Sequence, residues 1–181
     1  MLQGDKMSLV PELSQSLLTR EQLETAERIG RWRLDFALER LVWERKLKEE
    51  ECLVAEREFK RFVLLIGMNI KPIAMISPKL DEVWHQMVLF TRRYEAFCMD
   101  TVGFFVHHTP ETPEKPIPVE AAIKLILAYE PLFGSMPSIW FAGMTSEVKK
   151  HYEARPITKP RVRWSGWTGE DQRANLSRFE F

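Results

Sequence analysis

The sequence predicts a mostly α-helical domain: a long N-terminal helix or helix pair packed on a central helix, followed by a short extended element and an irregular C-terminal tail. Three observations carry this expectation. No proline occurs from residue 12 to residue 71, and a stretch of that kind favours helix because proline removes a backbone donor and clashes with the preceding turn. Apolar residues recur at steps of three and four along much of the chain, the spacing of one helical face. Prolines then crowd into residues 109–118, four in ten, which marks a stiff connector. The expected organisation is an N-terminal arm over residues 1–18, a single helical domain over 19–154 and an extended docking tail over 155–181.

Whole-chain quantities bound the function. The 181 residues suit one domain with an appendage. A hydrophobic share of 45% with 29% charged residues excludes wholesale disorder, collagen-like repeats and a disulfide scaffold. Basic and acidic residues number 26 each, so no whole-surface attraction to nucleic acid or anionic lipid is expected. Cys52 and Cys98 are the only cysteines, which suggests a reducing compartment and a cytoplasmic protein. No apolar run approaches the roughly 18 residues of a membrane span, and the opening residues lack the basic and apolar segments of a secretory leader.

The elements follow in order. Thr19 and Gln22 have capping-box spacing, a hydroxyl cap with a side-chain amide three residues on. Leu23, Ala26, Gly30, Leu34, Ala37 and Leu41 then form one stripe, and Ile29, Trp32, Phe36 and Trp43 form a second on another face. Two apolar faces imply contacts on two sides, so Trp32, Phe36 and Trp43 are candidate partner-binding residues. The polar run 44–51 is an exposed middle of that helix or a break. Cys52, Ala55, Phe59, Phe62 and Ile66 resume the stripe up to a helix end at Gly67.

Ser77-Pro78 reads as an N-cap with proline in the first turn. Leu80, Val83, Trp84, Met87, Thr91, Tyr94, Cys98 and Val102 form a core stripe on one helix over 78–102, stopped by Gly103. Residues 104–108 (FFVHH) are a short extended run. A short amphipathic helix follows from Val119, closed by Pro131 and Gly134, with a further turn over 137–144. The tail carries six basic against three acidic residues and the aromatics Trp164, Trp167, Phe179 and Phe181. Aromatics of that size seek burial, which makes them candidate docking residues.

The unusual chemistry lies in residues 81–110, which hold three of the four histidines and one cysteine. Asp81 and His85, four apart, share a helix face. Cys98 is thirteen residues beyond His85, roughly 20 Å along a continuous helix, and does not join them there. A compact site must draw its third group from His107 or His108 after the chain reverses at Gly103. Neighbours in an extended run face opposite ways, so one of the two should reach, with nitrogens converging within about 4 Å. Two imidazoles and a carboxylate with open positions suit zinc or iron. The competing structural reading is a local Asp81–His85 pair, histidines that satisfy turn groups, and Trp84, Tyr94 and Cys98 as packing residues. No phosphate loop, paired-cysteine or hydrolase motif occurs.

The residues Asp81, Trp84, His85, Tyr94, Cys98, Gly103, His107, His108 and Pro110, with Phe62 ahead of them, form the pattern D-x-x-W-H, Y, C, G, H-H-x-P. This pattern resembles the domain of plant glycine-rich domain-containing proteins and small bacterial relatives. Met87 stands where that family usually has a second histidine. The resemblance covers about residues 55–110 and implies no settled activity.

Two functions are expected from the sequence. The first is a non-enzymatic interaction protein, an adaptor or a subunit of a larger assembly or homo-oligomer, with no membrane and no nucleic-acid partner. The second is a metal-dependent enzyme or metal-binding regulator built on Asp81, His85 and one of His107 or His108.

Overall fold

A computed structural model describes residues 9–110, 112, 114, 116–141, 146, 149–150 and 153. The described residues are mostly helical, with no strand. The helices are α1 (Glu12–Gln15), α2 (Arg20–Arg31), α3 (Asp35–Trp43), α4 (Cys52–Gly67), α5 (Pro78–Leu89), α6 (Thr91–Thr101) and α7 (Val119–Phe133), with 3-10 turns at Glu49–Glu51 and Ser138–Trp140. No helix among the described residues is long and apolar enough to cross a membrane. The tail residues Trp164, Trp167, Phe179 and Phe181 lie outside the described residues.

The N-terminal helix is a pair. The Thr19 hydroxyl accepts from the Gln22 backbone and the Gln22 side chain accepts from the Thr19 backbone, completing the capping box that starts α2. The chain leaves helix between Arg31 and Asp35 and re-enters as α3. Of the two expected forms, one long helix or a pair, the break makes it the pair. Ile29 and Leu34 are fully buried. The Trp32 ring packs edge-on to Phe97 and its indole donates to Asp100 Oδ2 at 2.6 Å. Phe36 packs on Phe90, with the Arg93 guanidinium over its face. Trp32 and Phe36 are thus engaged within the fold, while Trp43 at the end of α3 remains 78% exposed.

Helix α4 is the hub, packing against both α2 and α5. It buries Ala55, Phe59, Phe62, Val63, Leu64 and Leu65. Its last residue, Gly67, sits where a Cβ would come within 2.8 Å of Val102 Cγ1. Close approach, beyond helix termination, therefore calls for glycine there. The expected central helix over 78–102 is also two helices: α5 ends at Leu89 and α6 starts at Thr91, with Phe90 (ψ 56°) between them. The break turns α6 back against α5 and α2. The segment expected as an arm contributes Leu9, Val10 and Leu18 to the core, and α1 lies on α7.

Candidate metal centre

The site begins with the start of α5. The Ser77 Oγ accepts from the Leu80 backbone N–H and donates to the Ile139 carbonyl at 2.6 Å. Pro78 fills the first turn, where its missing N–H costs nothing. This cap puts Asp81 in the first turn, a favourable place for a carboxylate, and His85 one turn later on the same face. The Asp81 Oδ2 to His85 Nε2 distance is 3.4 Å.

The third group arrives from the run after α6. Gly103 takes φ +82° and reverses the chain. Tyr94 then bolts the returning run to both helices: its phenol accepts from the Trp84 indole at 2.7 Å and donates to the Val106 carbonyl. Burial pushes this phenol far above its usual range, so it stays protonated as a donor. Phe105 packs edge-on to Tyr94 and against His107. Alternation along the run leaves His107 exposed and turns His108 inward. The 104–108 run forms no strand ladder; the Tyr94 bond holds it instead.

His108 meets both partners. Its side chain is 8% exposed and its Nε2 lies 2.8 Å from Asp81 Oδ1. This is a direct hydrogen bond between the imidazole and the carboxylate. The ring stands edge-on to Trp84, centroids 4.5 Å apart, and to His85, centroids 4.6 Å apart. One ligand atom from each of Asp81, His85 and His108 lies within 4.8 Å of the others. Two atoms bound to one ion at about 2.0–2.1 Å are at most roughly 4.2 Å apart, and the Asp81–His85 and Asp81–His108 contacts at 3.4 and 2.8 Å already lie inside that reach.

Cys98 stays out of the cluster despite the helix break. It is fully buried beside Tyr94 and Val106, and burial pushes its thiol up. Cys52 is also raised by burial and by the glutamates before it. Neither cysteine is set up as a nucleophile, which needs an electropositive and partly open setting.

A feature beyond the reach of sequence reasoning is a cleft of about 950 Å³ whose wall includes Asp81, Trp84 and His108. Its remaining lining comes from the 70–76 and 116–118 connectors, Pro78, the 104–110 run and α4. Such connector positions have no periodicity to announce them.

Tyr94→Phe tests the bolt. It would strip the Val106 carbonyl and the Trp84 indole of their partner, each a buried group worth about 1–3 kcal/mol when unsatisfied. The expected result is a fall of several degrees in Tm by circular dichroism. An unchanged melt would mean that the run is held by other contacts.

No curated protein and no solved structure matches the chain. A family model for UCP032817-like proteins matches residues 26–129, a span that includes Asp81, His85, His108 and the Tyr94 bolt. With more than half of its length covered, the chain belongs to the UCP032817-like family.

Proposed function

We propose that the protein is a metal-dependent enzyme that holds one divalent transition ion, zinc or iron, through Asp81, His85 and His108. The observation that carries this reading is the convergence of those three side chains, from two separate segments, with Asp81 and His108 in the wall of a cleft. A merely structural Asp–His pair would need neither the second imidazole nor the opening. Three protein ligands leave coordination positions free for water or substrate. An ion so held supplies Lewis-acid polarisation or an activated water. The protein's part is to fix the ligands: the capped start of α5 orients Asp81 and His85, and Trp84 with Tyr94 orients His108. The D-x-x-W-H, Y, C, G, H-H-x-P pattern is the ground on which we further propose kinship with the domain of plant glycine-rich domain-containing proteins and small bacterial relatives.

Protein purified without an affinity tag is expected to carry, or to take up, about one equivalent of zinc or iron by elemental analysis. His108→Ala and His85→Ala should each weaken binding by 100-fold or more. Substoichiometric metal, unchanged in the His85→Ala variant, would remove the reading.

The interaction-protein reading is second. Trp43 and Leu53, 78% and 81% exposed, favour it. A monomer by native mass spectrometry, with no co-purifying partner, would count against it.

A further inference from the structure

We propose that the cleft beside the cluster receives an amphipathic anion, an apolar chain or ring ending in a carboxylate, with its head group at the Asp81–His85–His108 ion and its body against the apolar wall. The proposal rests on the metal reading and names the ligand class for that same site.

Two features of the lining select this chemistry. The first is its apolar character. Phe62 and Ile66 of α4, Ile70 and Met75 of the connector, Phe105 and Ile117 all line the cleft, and such a wall rewards burial of hydrocarbon. At about 950 Å³ the space lies at the upper end of the range for small-molecule sites. The second is charge. Among the described lining residues, Asp81 and Lys71 are the charged ones, apart from the histidines. An ion bound at Asp81 consumes that negative charge and leaves a net positive centre, because a divalent cation carries two charges and the imidazoles are neutral as ligands. Lys71 is exposed and has no ion-pair partner among the described residues, unlike Lys46, Lys60 and Lys79, which are paired. A loaded cleft is thus apolar over most of its wall and positive at its polar points. A neutral hydrocarbon would leave that positive charge unanswered, and a cation would be repelled by it.

The test is calorimetry on the full chain, stripped with a chelator and reloaded with one equivalent of zinc, using decanoate, hexanoate and decyltrimethylammonium as probes. Decanoate should bind once per chain, and hexanoate more weakly by about fourfold for each methylene lost. Decyltrimethylammonium should not bind. Lys71→Met should weaken decanoate several-fold without changing zinc affinity, whereas Lys124→Met on α7 should change neither. Zinc binding without decanoate binding would overturn this inference and leave the metal reading standing. Equal decanoate affinity with and without zinc would overturn the head-group assignment, and equal binding of the cationic probe would overturn the charge argument. A chain that takes up no zinc overturns the metal reading and this inference together.

Discussion

Replacing Glu58 with alanine is expected to cost about 3–5 kcal/mol of stability, the range found when one partner of a buried ion pair is removed and the other charge is stranded. Glu58 is fully buried on α4 and each of its oxygens accepts twice. Oε1 takes the Arg57 Nε at 2.8 Å and the Arg61 Nη1 at 3.1 Å. Oε2 takes the Trp140 indole at 3.0 Å and the Tyr129 phenol. Burial, with the Glu58 charge beside it, pushes that phenol well above its usual range and keeps it a donor. Arg61 extends the network, with its Nε donating to the Leu9 carbonyl and its guanidinium 4.9 Å from the Phe133 ring centre.

One carboxylate therefore joins the N-terminal segment, α4, α7 and the Ser138–Trp140 turn. At roughly 2–4 °C per kcal/mol for a chain of this size, the expected fall in Tm is about 10 °C. Glu58→Gln keeps the shape and part of the hydrogen bonding and should lose less. Thermal melts in which Glu58→Ala matches the parent chain would mean the network contributes nothing net.

This network shows where sequence reasoning stops. Residues 56–61 (EREFKR) contain one apolar residue among charges, and periodicity assigns the charged ones to a solvated face. In the fold Glu58, Lys60 and Arg61 are all buried: Glu58 and Arg61 find partners more than 50 residues away in sequence, and Lys60 pairs with Glu56 and reaches the Gly30 carbonyl on α2. Pattern along a chain carries no information about such partners. The helix breaks were hidden for a related reason. Neither Trp32–Leu34 nor Phe90 contains glycine or proline, and the apolar stripe runs on through both breaks. It does so because the helices on each side face the same interior: Ala26 and Leu41 across one break, Met87 and Tyr94 across the other, are all buried.

What was legible depended on local physics. The Thr19–Gln22 box, the Ser77-Pro78 start and the turn at Gly103 are satisfied within a few residues of themselves. The Asp81–His85 pair is one helical turn, and the choice of one histidine out of two follows from alternation in an extended run. Alternation says that one imidazole turns inward. That it is His108 rests on Tyr94 gripping the carbonyl of Val106, a long-range fact.

Trp84→Ala is expected to cost about 3–5 kcal/mol as well, the usual range for truncating a large buried aromatic, and to damage the metal centre at the same time. The indole is 7% exposed and stands edge-on to Phe59 and Phe62, so truncation opens a cavity against α4. Its N–H holds Tyr94, and its ring edge abuts His108. Two effects should therefore appear together: a fall in Tm of about 10 °C and a loss of zinc affinity of roughly 10- to 100-fold, as for residues that orient ligands without touching the ion. Trp84→Phe separates them, because it keeps an aromatic ring in the core while deleting the donor to Tyr94 and shrinking the ring beside His108. It should retain most of the stability yet lose part of the affinity, since Tyr94 still grips Val106 but His108 has a smaller ring to lean on. Calorimetric zinc titration beside a thermal melt reads both quantities from one preparation. Full affinity in a destabilised Trp84→Ala protein would mean that Asp81 alone orients His108, and the indole would then be a core residue with no part in the centre.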